Sequence, residues 1–303
     1  MTPEIPISPP VIRIAVRPSL FVIRHLSLLP ALLCAFTLSI PAAENPLKIN
    51  LVSEVTSIAP GKPFYAGLHL QHPRGYHTYW KFPGIVGVPT GMEWNLPPGW
   101  SAEKIEWPAP ERVMMFQIKA QGFHGENLLP VKIIPPKSLS LGTTVTLQGK
   151  ASWMCCGRDC NPGFKDLSLT LPVSAEEPAH DGKMKNLFAE ARSLVAVPLQ
   201  DWSVETSRKE SSVTLRIKPQ SDGARNQLAR IREATFFTED GLTDPNKGET
   251  FSKDAEGITL SIAISEHAPK PLPKKCIGII QTPQGWLPDG GPKSLSLRVS
   301  FPQ

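Results

Sequence analysis

Beyond residue 43 the chain has no apolar run long enough to span a bilayer as a helix, no block of like charge, no heptad pattern, no low-complexity tract and no strict repeat. The first absence argues against a helical membrane anchor in that region. The second argues against a nucleic-acid footprint or a polybasic membrane patch. No Ser/His/Asp arrangement, phosphate-binding glycine loop or paired carboxylates stand out, so hydrolytic and nucleotide-driven chemistry have nothing to build on. Cysteine is scarce, with five residues in 303, and three of them fall within six positions.

The N-terminus reads as an export signal. Arg13, Arg17, Arg24 and His25 precede an apolar run from Leu26 to Ile40, and Pro41-Ala42-Ala43 follows. Charged, apolar and small-residue parts in that order predict a cleaved signal peptide over residues 1–43, and the run is short for an anchor and contains Pro30. Cys34 would leave with it, because bulky Leu33 stands where a lipoprotein signal needs a small residue. Removing residues 1–43 lowers the formal charge from +5 to +3, a mild excess. The expected location is the periplasm, where thiols pair by default, and Cys155, Cys156, Cys160 and Cys276 remain there.

Proline is abundant at 33 residues, about twice the usual ~5% share, and is spread along the chain. Such spacing predicts many short strands joined by turns. Alternating apolar runs at Leu47–Val55, Phe64–Gln71, Tyr76–Lys81, Gly91–Asn95, Leu128–Ile134, Thr143–Trp153 and Lys165–Leu171 predict an immunoglobulin-like β-sandwich over residues 44–180. Leu187, Phe188, Ala191, Leu194 and Val195 recur near helical spacing, so residues 181–199 are expected to be a short helical linker closed by Pro198. Strand candidates at Ser203–Glu205, Ser212–Lys218, Ala234–Thr238, Gly257–Ile264, Cys276–Gln281 and Ser294–Phe301 predict a second sandwich over residues 200–303. The fold class is therefore all-β, two immunoglobulin-like sandwiches joined by a short helical linker.

The chemistry concentrates in Trp153-Met154-Cys155-Cys156-Gly157-Arg158-Asp159-Cys160-Asn161-Pro162-Gly163, expected as an exposed turn between two strands. A disulfide between Cys156 and Cys160 would close a loop of five residues, which the chain-entropy model values at roughly 2 kcal/mol. A bridge from either to Cys276 would be worth about 5 kcal/mol on the same scale. The short bridge is a poor staple, and short-loop disulfides that are strained or exposed are the reducible ones. Arg158 would favour a thiolate and Asp159 would oppose it, so no net direction follows. Three thiols with Met114, Met115, Met154 and His124 elsewhere also suit a soft ion such as Cu(I), although adjacent cysteines lack zinc-site spacing. A non-catalytic interaction domain that merely retains a disulfide is the third reading.

The cluster resembles the Trp-x-x-Cys-x-x-x-Cys-x-Pro-Gly signature of the amino-terminal periplasmic domain of the DsbD and ScsB thiol:disulfide interchange proteins. Gly75-Tyr76-His77-Thr78-Tyr79-Trp80, Pro83-Gly84 with Gly87-Val88-Pro89-Thr90, Leu96-Pro97-Pro98-Gly99-Trp100, Trp107-Pro108-Ala109-Pro110-Glu111-Arg112, Gly122-Phe123 and Leu129-Pro130-Val131 agree in order. The similarity covers roughly residues 47–173 and continues weakly through Phe236-Phe237 and Gly278-Ile279-Ile280. It implies an immunoglobulin-like domain whose Cys156/Cys160 pair cycles between dithiol and disulfide without a prosthetic group or metal. It further implies a membrane-embedded thiol carrier as electron donor and periplasmic thioredoxin-like or disulfide-containing proteins as acceptors. Because this chain stops at Gln303, the donor is expected on a separate chain. In the family an aromatic-bearing loop shields the pair, which singles out Phe116 in Val113-Met114-Met115-Phe116. His77 and Tyr79 share one face of a strand and, with Cys155, are the expected neighbours of the pair. Cys155, pointing opposite to Cys156, has no family counterpart, nor has Cys276, which reads as a small buried hydrophobe. Glu111 and Arg112 read as a surface pair worth little.

Overall fold

Period-two alternation puts every second side chain of a strand on one face, and burial follows it in many of these strands, while others are buried on both faces. The computed structural model describes residues 45–302; the signal-like segment 1–43 and Cys34 lie outside the described residues. The first half contains β1 (Lys48–Ser53), β2 (Phe64–Gln71), β3 (His77–Tyr79), β4 (Gly91–Asn95), β5 (Ser101–Ala102), β6 (Glu111–Met115), β7 (Ile118–His124), β8 (Glu126–Ile134), β9 (Thr144–Cys156) and β10 (Cys160–Pro172). One sheet runs β1-β2-β8-β5, and the other runs β10-β9-β3-β7-β6, with β4 also pairing β9. Ile49, Leu68, Leu70, Leu129, Val131 and Ile133 from the first sheet close on Leu147, Ala151 and Trp153 from the second. Each of the buried Val, Leu and Ile side chains contributes about 1.5–3 kcal/mol by leaving water.

The expected linker is a helix of nine residues, α1 (Lys185–Ser193), with Phe188 and Ala191 buried against Leu128 of β8. It stops well before Pro198, because Val197–Pro198 is taken up as strand β11, parallel to the last strand. The second half continues with β12 (Trp202–Arg208), β13 (Ser212–Pro219), α2 (Asp222–Arg230), β14 (Thr235–Thr238), β15 (Glu249–Lys253), β16 (Ile258–Ala263), β17 (Lys275–Gln281) and β18 (Ser294–Ser300). Its sheets are β11-β18-β17-β14 and β12-β13-β16-β15. Val213, Leu215 and Ile217 face Ile258, Leu260 and Ile262 across a shared register, and all six enter a second core with Trp286, Leu295 and Leu297.

The two cores meet on β14 and β17. Alternation sends Phe236 and Ile280 into the second core, while their neighbours Phe237 and Ile279 join the first. Gly278 between them lets β14 approach, since a Cβ there would sit 2.3 Å from the Phe237 carbonyl oxygen. One sheet thus serves two hydrophobic interiors, and the sandwiches form a single compact unit.

Candidate functional site

Two thirteen-residue strands, β9 and β10, form a long hairpin whose last pair is Cys156 opposite Cys160. The turn is only Gly157-Arg158-Asp159, so Asn161, Pro162 and Gly163, expected in the turn, belong to β10. Pro162 is tolerated because β10 is an edge strand. The two cysteines are joined by a disulfide with their Cα atoms 4.1 Å apart, close to the spacing of a non-hydrogen-bonded antiparallel pair.

The residues around the cysteines hold this hairpin end. The indole of Trp153 lies across its partner Gly163, where a Cβ would come within 2.2 Å of the ring. Its Nε1 donates to Asn45 Oδ1 at 3.0 Å, and Asn45 Nδ2 donates to the carbonyls of Asn161 and Pro162. Gly157 abuts the Gly75 carbonyl and the Tyr76 ring, each 2.9 Å from the position of a Cβ. The Tyr76 hydroxyl donates to Asp159 Oδ1 at 2.8 Å, and this bond, ahead of one from Asn161, holds the Asp159 carboxyl below its ordinary range. Arg158 is exposed.

The two cysteines differ in exposure. Cys156 is 1% exposed, whereas Cys160 is partly exposed, so burial of Cys156 corrects the expectation that the whole cluster is open. Cys156 packs with Tyr79, Val113 and Ala120, and Val86, Met154 and Cys160 lie against that small cluster. Cys155 points the other way into the main core and is fully buried as a free thiol. Burial, then the charge of Asp159, pushes its pKa up to about 12. Cys276 is also free and buried, in the second core, with its pKa pushed up to about 12 by burial and then Asp240. Cys155 and Cys276 therefore do not bridge, and Cys155 does not converge with the other two thiols.

His77 is the strand partner of both Cys156 and His124, and its Nε2 lies 3.2 Å from the Tyr79 hydroxyl. Burial, then repulsion from His124 and His72, lowers the His77 pKa to about 4. Burial raises that of Tyr79 to about 12, with Cys155 adding to it. Both are uncharged near neutrality, so the wall behind the disulfide is neutral. Tyr79 in turn rests on Gly87, whose φ of 95° and contact at 2.3 Å from a Cβ position leave room only for glycine.

Phe116 stands at the two-residue turn of the β6–β7 hairpin, 68% exposed, with φ 53°, the one positive-φ residue other than glycine among the described residues. The hairpin touches the disulfide through Val113 and Ala120 instead, which the sequence reading did not single out. Their signal is the alternation Arg112-Val113-Met114 and Lys119-Ala120-Gln121, hidden by the absence of an Asn-Gly or Gly-containing turn between them. The two segments that cover the disulfide also expose Ile85, Val88, Met114 and Phe116.

A sandwich that presents a disulfide at a hairpin end, with one cysteine buried and one partly exposed, defines a thiol:disulfide domain on an immunoglobulin-like frame. Residues 47–172 match the family described as thiol:disulfide interchange protein DsbD, N-terminal. Among solved structures, the N-terminal periplasmic domain of ScsB from Proteus mirabilis is 15% identical, with a TM-score of 0.61 over 85% of this chain and 95% of that one. The likeness establishes a common fold across both sandwiches. The sporulation control protein Spo0M of Bacillus subtilis is 13% identical over 84% of this chain and 91% of its own, with a TM-score of 0.22. No curated protein matches the chain.

Proposed function

We propose that the chain is an exported thiol:disulfide interchange protein that relays electrons through reversible opening of the Cys156–Cys160 disulfide. The observation that carries this is the unequal exposure of the two disulfide-bonded cysteines at the end of the hairpin that bears the family's signature. A thiolate from a membrane-embedded carrier on a separate chain attacks Cys160 Sγ; the S–S bond breaks and Cys156 leaves with the electron pair. That thiolate faces Tyr79, Val113 and Ala120, none of which is charged, and takes up a proton. The carrier's second thiolate then attacks the mixed disulfide, leaving the carrier oxidised and Cys160 as a thiolate. In the second half-reaction the Cys160 thiolate attacks a disulfide of a periplasmic thioredoxin-like or other protein, and Cys156, giving up its proton to the departing partner sulfur, resolves the mixed disulfide and restores the starting state. No prosthetic group enters. Exposed Ile85, Val88, Met114 and Phe116, on the loop and hairpin whose Val86, Val113 and Ala120 lie against the Cys156 cluster, support docking of such protein partners. Export rests on the charged-apolar-small pattern of residues 1–43 and on the periplasmic origin of the ScsB domain.

Equilibration of the mature protein with a graded glutathione redox series tests the reading. The expected result is a reversible two-electron transition, abolished in Cys156→Ser and in Cys160→Ser. A disulfide that stays oxidised at strongly reducing poise overturns it.

A further inference from the structure

We infer that the second sandwich controls how readily the disulfide is reached, by clamping the β6–β7 hairpin that covers it, with Asn246 as the positioning residue. The inference rests on the reading of Cys156 and Cys160 as an exchanging pair. On its inner side the hairpin lays Val113 and Ala120 on Cys156. Along β7, strand β3 pairs only with Gly122, Phe123 and His124, so the backbone edge at Lys119 is left without a strand partner there. Asn246 takes that place as a second peptide group would. Its Oδ1 accepts from the Lys119 backbone N–H at 2.6 Å, and its Nδ2 donates to the Lys119 carbonyl at 3.1 Å. Asn246 is itself fixed, because its backbone N–H and its Nδ2 both donate to Asp244 Oδ1 at 2.9 Å.

Two further ties act at the base of the same hairpin. Arg112 Nη2 donates to the Phe236 carbonyl at 2.6 Å, and Gln121 Nε2 donates to the carbonyls of both Phe82 and Thr238. Phe82 opens the loop that carries Val86 over the disulfide, and its ring sits against Gly241 of the second sandwich. Lys81, just before it, pairs with Glu239 at 2.8 Å. Both coverings of the disulfide are thus bonded from behind to the second sandwich. Asn246 differs from the other ties in gripping the backbone two residues nearer the turn than Gln121, on the tip side of Val113 and Ala120.

If opening of the hairpin precedes attack on the disulfide, weakening the clamp raises the rates of reduction and reoxidation together and leaves the equilibrium between dithiol and disulfide unchanged. Two lost hydrogen bonds correspond to roughly a 5- to 30-fold larger open population. The test is the rate of reduction of the mature protein by dithiothreitol, with the rate of reoxidation by oxidised glutathione and hydrogen exchange at the Lys119 amide. Asn246→Ala is expected to accelerate all three by that factor with an unchanged reduction potential. Asn246→Asp, equal in volume but unable to donate to the Lys119 carbonyl, is expected to behave in the same way. Rates within twofold of the unaltered chain, despite faster Lys119 exchange, overturn the inference, as does acceleration of one direction only, which moves the potential. Failure of the unaltered protein to be reduced reversibly overturns the underlying exchange reading instead, so the two failures are distinguishable.

Discussion

His77 shows how a single buried side chain couples the site to pH. Its ring lies between the Tyr79 hydroxyl and His124, with His72 also near, and His124 Nδ1 is 3.4 Å from Glu111 Oε1. The folded pKa of about 4 lies below the ordinary 6.5. Between those values the unfolded chain binds a proton that the native chain does not, so stability is full above pH 6.5 and is lost as pH falls through 4. At about 1.4 kcal/mol per pKa unit, His77 accounts for about 2 kcal/mol of loss between pH 7 and 4.5. His72, lowered mainly by burial, acts in the same direction. Urea unfolding at the two pH values is expected to show a drop that is smaller by about that amount in His77→Gln; equal drops in both proteins would refute the assignment. The shared face of His77 and Tyr79 follows from strand alternation and was legible in the sequence. The partner across the ladder was not, because the pairing of His77 with Cys156 joins residues 79 positions apart. The opposite orientations of Cys155 and Cys156 follow from alternation too, but nothing local revealed that both are buried.

At the level of elements, strands with clean alternation and flanking Pro or Gly were legible, as in β1, β2, β13 and β16. Other elements were not. The β6–β7 hairpin turns at Phe116-Gln117, a sequence with no turn preference, in a conformation glycine favours. Helix α2 buries only Ala224, Gln227 and Leu228; its start is a local cap, Ser221 Oγ accepting from the Ala224 N–H, and its end is held from afar by Lys253 Nζ of β15, which donates to the Leu228, Ala229 and Ile231 carbonyls. Strand β15 presents no fully buried residue and so carries little apolar signal. The signature hairpin was recognisable from its residues, but its geometry explains them, since Trp153 and Gly163 are one cross-strand contact. Gly163→Ala must displace the indole and its bond to Asn45, at an expected cost of about 1–3 kcal/mol. Gly182→Ala, which meets nothing within 4 Å, is the control expected to be near neutral. Chemical denaturation of both variants checks this; equal stabilities would mean that Trp153 does not hold the hairpin against Gly163.

Across the whole molecule the feature least visible in the sequence is the junction of the sandwiches. Glu111 and Arg112 read as a surface pair, yet Glu111 turns to His124, and Arg112 crosses to Glu249 at 3.3 Å and to the Phe236 carbonyl while lying over the Phe237 ring. Those partners are 124 and 137 residues away, beyond the reach of any local pattern. Both ends of the pair are largely buried, with side chains 23% and 16% exposed. Burial raises the Glu249 carboxyl despite the Phe236 N–H and Arg112, and burial lowers Arg112 despite Glu249, so Arg112 is held charged by Glu249, and Glu249 by the Phe236 N–H together with Arg112. Removing one leaves the other uncompensated, and Arg112→Leu or Glu249→Leu is each expected to cost about 2–5 kcal/mol. Removing both leaves no stranded charge, so the double variant is expected to cost less than the sum of the two single ones by more than about 1 kcal/mol. A double-mutant cycle by urea unfolding measures that coupling. Strict additivity would mean that the sandwiches are joined by Phe237 and Ile279 in the first core, with the ion pair contributing nothing to their union.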